Sequence, residues 1–433
     1  MDELLARLPR KLQLDWCLRG FEGVPWFPQG PAGPDTRSIR IVGEAPLESV
    51  EAVDPVALAM LAAWLLERGN QGARTTLDDS AKSVHAFRAG LLSVLAGKLT
   101  TDARVTRTAG GNVLLSPTHV GTTLQIEPFL AQIGAMFQID KETATALKYC
   151  FAELLRNVFE HSGSAHGGVL AAGHYGRDDE QRITIALADL GIGVPSHFRQ
   201  KHGSLRDDES ALRAALEPLA TGSFDLARNA GLGLYMTRRL ADMVGGKFWL
   251  LTGDLCARHD GDESPGGRAL IEISRALNPW RGTVVALTLR PGAITSFDRT
   301  IRLANEELRG GGFEARIQFS RKVSREGWET VEVPADVGNM AQDKLAAERI
   351  RRSLILPALR EGKRLVLSFH GVALTTQSFL HALLAEPLRE LGPEASPTRL
   401  LYARCSDQVR EVIRLVVGYV LEGTAERGGD PDG

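Results

Sequence analysis

Residues 153–162 read Glu153-Leu154-Leu155-Arg156-Asn157-Val158-Phe159-Glu160-His161-Ser162. They close a segment, Thr143–Ser162, in which Leu147, Cys150, Phe151, Leu154, Leu155 and Val158 recur at i, i+3, i+4 and i+7. That spacing predicts an amphipathic helix. Glu153 and Asn157 are four apart, so they share one face, about 40° apart around the axis. A carboxylate and an amide oxygen on the rim of an apolar helix suit a hydrated Mg2+, which takes few protein oxygens and shares its shell with phosphate and water. The same pair on an ordinary surface helix is a solvated polar face, so it gains meaning only from its neighbours.

Downstream the hydrophobic period changes from the helical one to two. Gly168–Tyr175 and Arg182–Asp189 read as strands joined by the polar turn at 176–181. The second ends on Asp189, followed by Leu190-Gly191-Ile192-Gly193. A carboxylate at a strand end can accept the amino hydrogens of adenine, and glycine lets a flat ring approach the backbone. An ordinary turn has the same composition. After a polar stretch with a predicted helix at Glu209–Leu219, Asn229-Ala230-Gly231-Leu232-Gly233-Leu234 opens a helix over Leu234–Val244. Backbone N–H groups at a helix start form an anion site that glycines keep open. The spacing is neither G-x-G-x-x-G nor a P-loop. Strands are predicted at Phe248–Thr252, Ala269–Ser274 and Thr283–Leu289, with an exposed loop over 256–267.

Together and in this order, the three stretches resemble the GHKL ATPase superfamily of gyrase B, the ninety-kilodalton chaperone, histidine kinases and MutL-type repair proteins. Glu153 to Ser162 is similar to its N box, Asp189 to Gly193 to its first glycine box, and Asn229 to Leu234 to its second. Gly282-Thr283 on the last strand is similar to its closing Gly-Thr. The resemblance implies ATP and Mg2+ as ligands. Asn157 would hold the metal, and Glu153 would orient or deprotonate the attacking water or hydroxyl. Asp189 and, through water, Thr283 would read the adenine, bordered by Gly191 and Gly193. Gly231, Leu232, Gly233 and Leu234 would cradle the phosphates. Residues 196–228 would form a lid, with Lys201, Thr221 and Ser223 as candidate phosphate contacts. Asn229 departs from the glycine that many relatives carry there. His161 either lines the site or is a packed structural histidine.

Among the branches, Glu153, Asn157 and His161 most resemble the anti-sigma-factor serine kinases, as well as the hydrolysing clamp ATPases. A sensor histidine kinase needs a phosphoacceptor histidine followed by an acid, and neither His85 before Ala86 nor His119 before Val120 fits. A second resemblance lies at Arg364–Leu380. There strand, turn and helix start are similar to a STAS domain, the fold of anti-anti-sigma factors. In those a serine at this helix start accepts phosphate. Ser378 falls near that position, after Thr375 and Thr376, and a hydroxyl there is either an N-cap or a phosphoacceptor. Relatives usually have Asp where Ser368 stands.

The expected organisation is an arm at 1–37, containing a short helix, and a STAS-like α/β unit at 38–115. An ATP-binding domain follows at 120–292, a C-terminal STAS-like α/β domain at 300–425, and a tail at 426–433. The fold class is α/β and α+β. A central Bergerat-type sandwich has a mixed sheet covered by helices on one face, and small STAS-like domains flank it. In the N-terminal unit a strand is predicted at Ser38–Val42, a buried helix at Val56–Glu67 after Asp54-Pro55, a strand at Gly72–Leu77 and a helix at Ser80–Leu95. The four cysteines are far apart, which argues against a zinc knuckle or a disulfide framework.

Composition narrows the function classes. Lys and Arg number 51 against 53 Asp and Glu, a net charge of −2, which argues against a chain-wide grip on nucleic acid or acidic membrane. No apolar run reaches the ~20 residues of a membrane span, so a cytoplasmic setting is expected. Three readings stand at this stage. The first is an ATP-dependent regulatory enzyme, a GHKL ATPase or Ser/Thr kinase. The second is a non-catalytic nucleotide-gated interaction module. The third is a DNA-acting clamp, disfavoured because no basic stripe appears. The resemblance implies a protein partner bound through the STAS-like units, and many relatives form homodimers.

Overall fold

The computed structural model describes residues 3–8, 11–12, 38–43, 52–70, 74–77, 90, 93–94, 104–107, 113–122, 125–176, 181–201, 207–216, 232–261, 271–309, 316–334 and 339–425. The chain divides into two compact units. The first comprises Met1–Ala144, Leu154–Ala215 and Thr237–Ala293; the second comprises Thr145–Glu153, Leu216–Met236 and Ile294–Gly433. Among the described residues no helix is long and apolar enough to cross a membrane, and Cys150, Cys256 and Cys405 are buried.

In the first unit, β1 (Glu3–Leu8) stands where a short helix was expected. It pairs in parallel with β3 (Ser38–Gly43), which pairs with β5 (Arg74–Leu77). The short β2 (Lys11–Leu12) pairs with β4 (Ala52–Val53). The expected arm therefore supplies strands to the unit that follows it. Most of the helix expected over Ser80–Leu95, and the whole tail at 426–433, lie outside the described residues. Between β4 and β5 runs α1 (Pro55–Asn70). Asp54 starts it, accepting a hydrogen bond from the Val56 N–H at 2.7 Å, and Pro55 occupies the first helical position where no N–H is needed.

The main sheet has the order β10-β11-β9-β8-β7-β6. Its strands are β6 (Val105–Arg107), β7 (Val113–Val120), β8 (Gly168–Tyr175), β9 (Arg182–Asp189), β10 (Lys247–Asp260) and β11 (Glu272–Leu289). Every neighbouring pair is antiparallel, where a mixed sheet was expected. β6 and the start of β7 lie before the boundary expected at residue 115, yet both extend this sheet. The register of β7 shifts between Leu115 and Thr118, at Pro117, whose missing N–H cannot join a regular ladder. The segment expected as an exposed loop after Cys256 continues β10 to Asp260, with Cys256 and Ala257 buried. The strands expected at Ala269–Ser274 and Thr283–Leu289 are parts of one irregular strand, β11.

Both faces of this sheet are covered. α1 is apolar all round, with Val56 to Leu65 each at most 4% exposed, as a helix enclosed on all sides must be. Its Ala57, Ala59, Ala62 and Ala63 share a cluster with Val169, Ala171, Ala186, Ala188, Val284 and Ala286 of the sheet. Small residues on helix and sheet let the two backbones approach closely. The alternate strand residues Leu170, Ala172, Ile185, Leu187, Val285 and Leu287 are equally buried, and strand geometry puts them on the opposite face. The helices after β7 are α2 (Ile126–Phe137) and α3 (Lys141–Asn157), the latter continued by a π-helical turn, Val158–Ser162. Asp140 caps α3 by accepting from the Thr143 N–H at 2.8 Å, and its other oxygen accepts from the Gly292 N–H at 3.0 Å just past β11. Next come α4 (Val194–Lys201), α5 (Asp208–Leu216) and α6 (Leu232–Met243).

The second unit opens with α7 (Phe297–Arg309), a helix missed in the sequence. Its sheet is fully parallel, in the order β12-β17-β15-β13, from β12 (Phe319–Ser320), β13 (Glu329–Glu332), β15 (Leu365–Ser368) and β17 (Leu400–Ala403). A side pair joins β14 (Met340–Ala341) to β16 (Leu374–Thr375). The helices are α8 (Lys344–Ile350), which passes through a π-helical turn into α9 (Leu356–Arg360), then α10 (Gln377–Arg399), kinked at Gly392, and α11 (Asp407–Ala425).

Candidate functional site

In the first unit the loop after β9 is held from both sides. Asp189 is 4% exposed. Its Oδ1 accepts from the Gly191 N–H at 2.8 Å, and the Thr283 N–H also donates to its carboxyl. Burial outweighs these two donors and pushes the Asp189 pKa up to about 7. Thr283 therefore meets Asp189 through its own backbone N–H. The Asp189 carbonyl accepts from the Trp280 indole N–H at 2.8 Å.

The glycines here answer to backbone neighbours. A Cβ on Gly191 would stand 2.1 Å from the Ser162 carbonyl oxygen, and one on Gly282 would stand 2.4 Å from the Asp189 carbonyl oxygen. Gly282 also has φ +100, a region that L side chains avoid. Thr252, fully buried, donates to the Gly282 carbonyl at 2.9 Å and accepts from the Val194 N–H at 3.1 Å. The Ile192 N–H donates to the Ser162 carbonyl at 2.7 Å. The turn directly after half-buried Asn157 thus touches the first glycine loop. Ser162, Thr252, Trp280 and Arg281 hold that loop, and none was foreseen. They make ordinary polar contacts across long sequence separations, with no local pattern to mark them.

Arg281 donates to the Leu190 carbonyl through Nε and Nη2, at 3.2 and 3.0 Å. It also pairs with Glu67 of α1 at 2.6 Å. The N-terminal helix is therefore wired to the loop beyond Asp189. The His161 ring lies against that of His197 of α4, tilted by 31° with centroids 4.5 Å apart, and Glu160 is 4.0 Å away.

In the second unit Glu153 is 2% exposed, and a Cβ on Gly233 would stand 2.7 Å from its Oε2. The N-box carboxylate and the second glycine stretch therefore meet, although about eighty residues separate them. Leu234 is half-buried, while Gly231, Thr221 and Ser223 lie outside the described residues, as do the side chains of Leu232 and Lys201.

Ser378 is 4% exposed. Thr376 caps α10, accepting from the Phe379 N–H at 3.3 Å, so the capping role considered for Ser378 belongs to Thr376. Gln408 clamps the preceding strand, accepting from the Thr375 N–H and donating to the Thr375 carbonyl, both at 2.8 Å.

Two family matches agree with this geometry. Residues 142–293 match the histidine kinase-, DNA gyrase B-, and HSP90-like ATPase family, and residues 346–410 match the STAS-like domain of unknown function (DUF4325). No curated protein and no solved structure matches the chain. The chain thus carries a GHKL-type ATP-binding domain at residues 142–293, followed by a STAS-like domain at residues 346–410.

Proposed function

We propose that this chain is an ATP-driven regulatory enzyme in which a GHKL site transfers the γ-phosphoryl group to water or to a Ser/Thr hydroxyl, and in which nucleotide state controls what the STAS-like domain binds. The observation that carries this reading is the buried Glu153 carboxylate packed against Gly233. Glu153 orients the attacking hydroxyl and takes its proton. The new P–O bond forms as the bond to the β,γ-bridging oxygen breaks, and ADP leaves. Positioning and electrostatics dominate such a transfer. The donor set fits Mg2+: Asn157 offers a hard amide oxygen on a half-buried helix face. A bound metal would supply charge neutralisation at the phosphates. Asp189 accepts from the adenine amino group, with Gly191 and Gly193 shaping the loop beside the base, and Gly231, Leu232, Gly233 and Leu234 lie along the phosphates.

Incubation with γ-labelled ATP and Mg2+ tests this, the label being followed to free phosphate, to the chain or to neither. Glu153→Gln should cut turnover by at least about a hundredfold while ATP still binds. Asn157→Ala should lower turnover and raise the Mg2+ concentration needed to support it. Unchanged phosphate release from Glu153→Gln would end the assignment.

The burial of Ser378 favours a second reading, a nucleotide-gated interaction module in which turnover is incidental. It predicts that a non-hydrolysable ATP analogue supports full partner binding. Under the kinase reading with Ser378 as acceptor, the start of α10 must open before transfer, and Ser378→Ala abolishes labelling of the chain.

A further inference from the structure

The second unit holds an open pocket whose described lining includes none of the residues assigned to ATP. It has a volume of about 500 Å³, within the range of small-molecule sites. Ser320 at the end of β12 and Arg321 just after it line the pocket, with Gly371 to Ala373 after β15 and Arg404 to Ser406 after β17. It therefore sits at the carboxyl edge of a parallel sheet, where open α/β sheets place their ligands.

The chemistry of the lining is one-sided. Arg321, Arg404 and Arg410 all contribute, with no carboxylate among the described lining residues. Among the described residues, Asp407 lies 3.7 Å from Arg410 and is largely exposed. The Arg410 Nε is buried without a hydrogen-bond partner, and its guanidinium lies 5.6 Å from the Phe319 ring centre. Arg404 adopts φ +52, a left-handed conformation unfavourable for a side-chain-bearing residue. Its N–H donates to the Ser320 carbonyl at 3.0 Å, which holds the strained residue at the cavity mouth. Strain at such an edge accompanies sites that hold a ligand. Ser406 caps α11, accepting from the Val409 N–H at 3.1 Å, so the positive end of a nineteen-residue helix faces the same space. Cys405 adds no negative charge. Burial holds its thiol protonated, and its S–H donates to the Ala403 carbonyl.

We infer that this cavity binds a small molecule bearing a diphosphate or comparable polyanionic group, gripped by Arg321, Arg404 and Arg410. Planar guanidinium groups suit phosphate oxygens, and several together discriminate a polyanion from a single charge. Such a ligand would make the STAS-like domain a sensor independent of the ATP site.

The test is equilibrium dialysis of the full chain with labelled inorganic pyrophosphate in the presence of a chelator, at fixed ionic strength. Wild type should bind with a site that Arg404→Gln plus Arg410→Gln removes or weakens by about a hundredfold, and that Arg321→Gln weakens by about tenfold. Turnover of ATP should be unchanged in all of these variants. Should the double variant fail to fold, the Arg321→Gln result alone decides, since that side chain is exposed. Equal pyrophosphate binding by wild type and the arginine variants, or no binding by wild type beyond that displaced by equimolar sulfate, overturns the inference.

Discussion

Asp189 shows how one residue can carry two opposed demands. The proposed recognition of adenine needs a carboxylate, while burial holds the Asp189 pKa near 7. The folded pKa lies above the unfolded value, so this group stabilises the free protein fully at acidic pH. That contribution is lost as pH rises from about 4 through about 7. Nucleotide binding should show the reverse slope. ATP affinity should rise by about tenfold between about pH 6 and about pH 8, and Asp189→Asn should flatten that rise, as measured by calorimetric titration. An equal slope in both proteins would place the titrating group elsewhere. Gly191 makes a steric prediction. Gly191→Ala drives a methyl into the Ser162 carbonyl and should cost about 1–3 kcal/mol in denaturant unfolding. It should also weaken ATP binding, because the loop can relieve the clash only by moving away from Ser162.

Among the elements, α1 changes the picture most. An apolar helix from the N-terminal region closes a face of the main sheet, and its Glu67 pairs with Arg281, which in turn grips the Leu190 carbonyl. Arg281→Ala should raise the dissociation constant for ATP several-fold through a looser adenine loop. Turnover at saturation should change little, because Glu153 is untouched. A fall in turnover with unchanged affinity would contradict this division of labour. A second unforeseen tie joins α6 to β10. Asp242 pairs with Arg239 and lies 3.0 Å from His259 Nε2, all three residues buried. Burial and the neighbouring Arg238 and Arg239 push the His259 pKa down, which favours its neutral form.

At the scale of the whole molecule, α3 divides by residue between the two units, residues 145–153 falling in the second and residues 141–144 and 154–157 in the first. Tyr149 meets Phe297 of α7, with ring centroids 5.7 Å apart and both side chains buried. Phe297→Ala should cost about 3–5 kcal/mol, read as a lowered midpoint of thermal unfolding. ATP should recover part of that loss, through its preference for the native state. The helix carrying Glu153 and Asn157, the strand ending on Asp189 and the first glycine stretch were legible from residue order, while residues 229–231 of the second lie outside the described residues. Helical and strand periodicity are local, and glycine pairs mark loops wherever they stand. The antiparallel order of the main sheet, the role of α1 as its cover and the strands of the supposed arm were not legible. Neither were the merging of two strands into β11, the contacts of Ser162, Thr252 and Arg281, or the arginine-lined cavity. Each of these depends on which distant surfaces meet, and one-dimensional spacing carries no record of that pairing. Residue chemistry therefore declared a nucleotide site, while packing between remote segments set what braces it and what else the fold can bind.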